Sequence, residues 1–205
     1  MKRLIFALLT MLTIAGAMAQ NANRSGFFIE AGIGGTTGTT PRVAIIHENG
    51  EVLAKFAGGP AFDFLLGYRI KTSSHWAFDV RIGGMASFNG ITSPVFRAMP
   101  GMRYTSNELF GNVSLYCTMA VGFGFGFRNT LYNVILPENG EYKFKVDGDL
   151  TFGVPYMLAV GLNITNHFYV GAVWDSQYII NTIRTNRSGE NLHWGMAGLQ
   201  LGYRF

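Results

Sequence analysis

Apolar residues recur at every second position through most of this chain, which is the period of a strand and not of a helix. Four segments carry the pattern most clearly. Phe62, Phe64, Leu66, Tyr68 and Ile70 alternate with Ala61, Asp63, Leu65, Gly67 and Arg69. Trp76, Phe78, Val80 and Ile82 alternate with Ala77, Asp79, Arg81 and Gly83. Residues 150–163 repeat the alternation with Leu150, Phe152, Val154, Tyr156, Leu158, Val160 and Leu162 on one face. The chain then closes on Leu199-Gln200-Leu201-Gly202-Tyr203-Arg204-Phe205. Weaker versions run over 27–34, 95–104, 109–127 and 167–178, so eight strands are expected in all.

The connections alternate in length. Lys71-Thr72-Ser73-Ser74, Thr105-Ser106-Asn107-Glu108 and Asn163-Ile164-Thr165-Asn166 read as tight turns, because their side chains hydrogen-bond locally and tolerate unusual backbone angles. The other connections, over 35–58, 89–94, 128–149 and 179–191, are longer on the whole. With an even number of strands, the tight turns and both termini fall at one end and the long loops at the other. Two long loops have a hairpin signature of their own, with Asn49-Gly50 and Asn139-Gly140 as turns. Both are expected to extend strands beyond the main sheet, where exposed edges can recruit a partner chain.

Composition decides which side of each strand faces in. Only 14% of the 205 residues are charged, 14% are aromatic and 27 are glycine. An average soluble domain carries roughly 25% charged residues. A soluble up-and-down barrel would turn its apolar face inward and coat the outside with Lys and Glu, and these strands do not supply them. The polar face is narrow and rich in Gly, Ser, Thr and Asn, which suits the crowded interior of a small closed barrel with an apolar band against lipid. Closure is then required, since lipid offers no partner to an open strand edge. The expected fold is an all-β, eight-stranded antiparallel up-and-down transmembrane β-barrel.

The first residues differ in kind. Met1-Lys2-Arg3 is a positive start, 4–15 is a short apolar run, and Ala17-Met18-Ala19 has the small-x-small form of a cleavage site. Residues 1–19 are expected to be a signal peptide and 20–205 the barrel domain. Gln20 follows the site where a lipid anchor would need Cys. The formal net charge of +4 loses Lys2 and Arg3 with the leader, which leaves no basis for a nucleic-acid partner. Cys117 is the single cysteine, so no intrachain disulfide forms.

The signal, the alternating strands, the loop asymmetry and the last strand together resemble the small Gram-negative outer-membrane β-barrel proteins of the OmpX/OmpA type, a porin-like family. The resemblance spans the whole mature chain. It implies location in the cell outer membrane, with periplasmic termini and lipid as the surrounding partner. It also implies that Leu199, Leu201, Tyr203 and Phe205 match the C-terminal signal read by the outer-membrane insertion machinery.

The inward phase collects acids and bases in a narrow space: Glu30, Asp63, Asp79 and Asp175 with Arg69, Arg81, Arg97, Arg103 and Arg204. Such charges must pair or cost several kcal/mol each, so an ion-pair network filling the barrel is expected, against the alternative of a narrow solute or ion path. A lipid-modifying enzyme would need a hydroxyl, an imidazole and an acid together. His193, Ser188 and Glu190 fall at the long-loop end, but nothing in their spacing enforces a site. Asp147-Gly148-Asp149 lacks the later ligands of a calcium loop and reads as a hairpin end. No cofactor and no catalytic role are expected. The expected function is a non-enzymatic structural or surface-interaction role through the long loops, with an unidentified outside protein or surface ligand as partner.

Overall fold

The computed structural model describes residues 25–38, 42–46, 52–56, 58–88, 92–135, 142–182 and 192–205. The expected leader, 1–19, lies outside them, as do Ser188 and Glu190. The described residues form eleven strands: β1 (Gly26–Gly38), β2 (Arg42–Ile46), β3 (Val52–Phe56), β4 (Pro60–Lys71), β5 (Trp76–Phe88), β6 (Thr92–Phe110), β7 (Val113–Val121), β8 (Phe123–Ile135), β9 (Tyr142–Asn163), β10 (Phe168–Thr182) and β11 (Leu192–Arg204).

They make a closed barrel of eight. The barrel order is β1, β4, β5, β6, then β7 with β8, then β9, β10 and β11, and β11 pairs back onto β1. β7 and β8 act as one interrupted strand, since each pairs with β6 on one side and β9 on the other. The interruption falls at Gly122, where a Cβ would collide with the Ala98 carbonyl and Met99 of β6. Every pairing around the barrel is antiparallel, and the seam runs from Phe28 opposite Arg204 to Gly38 opposite Trp194. Closure leaves no open edge around the wall, as a hydrocarbon environment demands.

The burial pattern follows the alternation. In β4 and β5 buried and exposed residues alternate along the first half of each strand. Large apolar side chains point out: Leu199 is 62% and Leu201 64% exposed, and Phe64, Ile82, Phe96, Met119 and Val160 share that outer surface. A continuous apolar band of this extent belongs against lipid and not water. Aromatic rings gather at its margins. Phe27 with Tyr68, Trp76 with Tyr104, and Phe168 with Tyr203 meet near the tight turns, at 4.9, 5.1 and 4.8 Å between ring centroids. Tyr156 with Trp174 and Phe123 with Phe152 do so toward the other end.

Three details differ from the sequence expectation. The turn expected at Thr105-Ser106-Asn107-Glu108 is instead bulged strand: β6 runs on to Phe110 with register shifts at Thr105, Glu108 and Phe110. The chain reverses at Gly111-Asn112, where Gly111 has φ +56°, a region costly for any side chain. Asp147-Gly148-Asp149 is not a hairpin end but lies inside β9, opposite Thr130, Asn129 and Arg128. Lastly, the β2–β3 hairpin does not continue β1 and β4. β2 lies parallel to β8, with Val43 opposite Leu131 and Ile46 opposite Val134.

Candidate functional site

The bore is occupied by the side chains that the alternation turns inward. Glu30, Asp63, Arg69, Asp79, Arg81, Arg97, Arg103 and Asp175 are all buried. Arg204 is only half-buried, at the tight-turn mouth, where its Nη2 donates to the Asn166 carbonyl at 2.6 Å. Glycines make the room. The Phe28 ring lies over Gly67 and the Tyr169 ring over Gly202, and a Cβ at either glycine would strike the ring.

All but one of these buried charges fall into two clusters. In the first, Arg69 Nε and Nη2 donate to the two oxygens of Asp79 at 2.8 and 3.0 Å. Arg81 Nη2 donates to Asp79 at 2.7 Å and its Nε to Glu30 at 3.1 Å. The Tyr169 hydroxyl completes Glu30 at 2.8 Å. Arg69 sits directly opposite Asp79 on the neighbouring strand. Both guanidiniums also lie over the Phe28 ring, 4.8 and 5.1 Å from its centroid.

The second cluster is a single arginine between two acids. Arg97 Nη1 donates to Asp175 and Nη2 to Asp63. The three residues come from β6, β10 and β4, so the guanidinium ties walls that are not neighbours in the sheet. Buried methionines stand beside both of its acids. Met85 lies opposite Asp63, while Met157 and Met196 lie opposite Asp175 on either side. All three methionines are buried.

Arg103 stands apart from both clusters. Its guanidinium lies 3.6 Å from the Tyr116 ring centroid and 4.3 Å from that of Tyr169. Its Nη2 donates to Asn163 Oδ1 at 2.5 Å. A network reaching across the bore was legible from the inward phase, but these two aromatic faces and the buried methionines were not. Tyr116, Tyr169, Met157 and Met196 do lie on the inward phase, and that phase is the signal that finds them.

Of the residues considered for enzymatic chemistry, His193 is the one described. Its Nδ1 lies 3.3 Å from the Tyr156 hydroxyl and its ring 5.1 Å from that of Tyr178. Among the described residues no three His, Cys, Asp or Glu side chains are grouped to hold a metal ion. Leu199 and Leu201 lie on the outer surface. The Tyr203 ring meets that of Phe205 at 5.0 Å, and the Phe205 amide donates to the Phe27 carbonyl at 3.0 Å.

A closed eight-stranded antiparallel barrel, apolar outside and packed with paired charges inside, defines an outer-membrane β-barrel protein. The chain belongs to the family described as outer membrane protein beta-barrel domain, which matches residues 4–205. No curated protein sequence matches it. Among solved structures it is similar to Neisserial surface protein A (NspA), with 14% identity, TM-score 0.52, and 88% of this chain and 99% of that one covered. It is similar also to Ail, the attachment invasion locus protein of Yersinia pestis, with 16% identity, TM-score 0.51, and 89% and 99% covered. At these identities the likeness is one of fold.

Proposed function

We propose that the chain is a non-enzymatic surface-interaction protein that presents its long-loop end outside the cell, around a bore that is filled and not open. In this reading residues 1–19 direct export, and the tight turns and both termini face the periplasm. The last strand, with Leu199, Leu201, Tyr203 and Phe205, carries the insertion signal. The observation that carries the reading is the β2–β3 hairpin. β9 has 22 residues, about twice the roughly 9 to 11 that cross a bilayer. The β8–β9 pair therefore rises past the membrane, and β2 docks on β8 there. β3 pairs with β2 on one side and with no other strand among the described residues. Its outer edge is a template for a partner strand. The names of the two similar proteins, a surface protein and an attachment protein, are in keeping with such a role.

The test is surface display of the wild type and of a variant with 42–56 replaced by a short Gly-Ser linker, matched for surface level. Cells are passed over immobilised matrix proteins and polysaccharides. Retention by the wild type and its loss in the variant is the expected result. A wild type no better retained than cells without the barrel would overturn the reading. The filled bore has its own test in planar bilayers, where a large stable conductance from the wild type would refute it. Unchanged lipid A mass on expression is expected from a non-enzymatic barrel.

A further inference from the structure

The tight-turn mouth of the barrel opens into a cavity of about 220 Å³. Four cationic side chains line it, Arg69, Lys71, Arg103 and Arg204, and Glu108 is the single carboxylate on its wall among the described residues. The charge of Arg69 is met by Asp79. That of Arg103 is met by no carboxylate within ion-pair distance among the described residues, although Arg69, Arg81 and Arg97 each have at least one.

Arg103 is held as a receptor would be. It is 2% exposed. The rings of Tyr116 and Tyr169, themselves edge to face at 5.5 Å, take the guanidinium on their faces. Asn163 fixes one nitrogen, and Asn163 is fixed in turn by donating to Ser114 Oγ at 2.9 Å. Stacking and the amide together leave the guanidinium plane little freedom. Its other terminal nitrogen, Nη1, is buried and has no hydrogen-bond partner among the described residues. A buried charged donor without an acceptor is costly, and this one belongs to a side chain on the wall of that cavity. Stacked aromatics neutralise a cation's face but not its donor edge, and that edge is shaped for an oxyanion.

The geometry points to an oxyanion site in this mouth, taking a phosphate group at the Arg103 guanidinium, with Lys71, Arg204 and the Ser114 hydroxyl on the same wall. Two sources carry that chemistry: dissolved phosphate and the headgroup of a phospholipid in the adjoining leaflet. The inference concerns the end of the barrel opposite the long loops and does not depend on the surface-interaction reading.

The test uses the whole barrel refolded in a maltoside detergent, which brings no phosphate of its own. Inorganic phosphate is titrated at ionic strength held constant with chloride, and the signals of Ser114, Asn163 and the Arg103 side chain are followed by NMR. In a second arm, short-chain phosphatidylglycerol replaces phosphate. Saturable shifts of these signals are expected in at least one arm, and the arm with the tighter half-saturation identifies the source. Arg103→Gln is expected to weaken binding roughly tenfold or more, the scale of one charge-assisted hydrogen bond. Folding of that variant is checked by its heat-modifiable gel mobility. If it does not fold, Lys71→Gln and Ser114→Ala supply the readout, each expected to weaken binding severalfold. Shifts that rise linearly, that chloride reproduces, or that persist undiminished in the folded variants would overturn the site.

Discussion

Two clusters of buried charge share one bore and are built differently. In the Arg69–Asp79–Arg81–Glu30 cluster, two guanidiniums face two carboxylates, and each carboxylate oxygen accepts a hydrogen bond. In the Asp63–Arg97–Asp175 cluster, one guanidinium serves two carboxylates, and the Oδ2 atom of each acid has no partner among the described residues. The first is assembled largely from adjacent strands, the second from walls that do not touch. Charge balance distinguishes a network whose carboxylate oxygens are all met from a clamp that holds distant strands at the cost of unmatched oxygens. Buried ion pairs contribute little net stability but are expensive to break by halves. The two clusters should therefore respond in opposite order to the loss of a base and the loss of an acid.

The largest effect is expected from Arg97→Ala. It strands two carboxylates among methionines and removes the tie between β4, β6 and β10. A loss of about 3 to 5 kcal/mol is expected, the scale of a buried charge left without its partner. Reversible urea unfolding of the barrel in detergent, read by tryptophan fluorescence, measures it. A loss under about 1 kcal/mol, the range of an exposed pair, would erase the distinction between the clusters.

Asp79→Asn comes next. Asp79 accepts from both Arg69 and Arg81, so an amide there leaves two guanidiniums side by side with Glu30 as the remaining acid. A cost of about 3 kcal/mol is expected. Arg81→Ala should cost less, about 1 to 3 kcal/mol, because Asp79 keeps Arg69 and Glu30 keeps the Tyr169 hydroxyl. Planar-bilayer recordings of Arg81→Ala should stay silent, since Phe28, Tyr169 and Arg69 still occupy that level. An arginine loss at 81 that costs more than the one at 97 would reverse the comparison.

How much of this the sequence disclosed follows from what a period of two can carry. Alternation is local, so it placed Glu30, Asp63, Asp79, Arg81 and Asp175 on the inner face and Leu199 and Leu201 on the outer one. The Arg69–Asp79 pair is nearly local as well, since the two residues flank one tight turn. The Arg97 clamp is not. Arg97 and Asp175 are 78 residues apart in the chain, and which inward residues meet across a barrel depends on strand tilt and stagger, which no single strand encodes. The turn at Thr105–Glu108 was misplaced because its residues favour turns, yet a bulge let the strand absorb them. Gly111 was the better signal, as only glycine adopts its backbone angle at little cost. The docking of β2 on β8 rests on contact between distant segments and left no mark in the local pattern. The stacked guanidinium of Arg103 was hidden for the same reason, since Tyr116 and Tyr169 come from β7 and β10.

The smallest effect should come from Asp175→Asn, and it tests the comparison most sharply. An amide at 175 keeps an oxygen for Arg97 Nη1 and removes one of the two negative charges competing for a single guanidinium. What remains is an Arg97–Asp63 pair in one-to-one balance, the ratio the other cluster already has. The neighbours opposite, Met157 and Met196, tolerate the amide because its volume is close to that of the acid. Stability should stay within about 1 kcal/mol of the wild type, on either side, in the same urea experiment. Asp79→Asn measured alongside should cost clearly more, since it removes an acid from a balanced network and not from one with an excess. Equal costs for the two asparagine variants would mean that hydrogen-bond geometry and not charge balance governs both clusters.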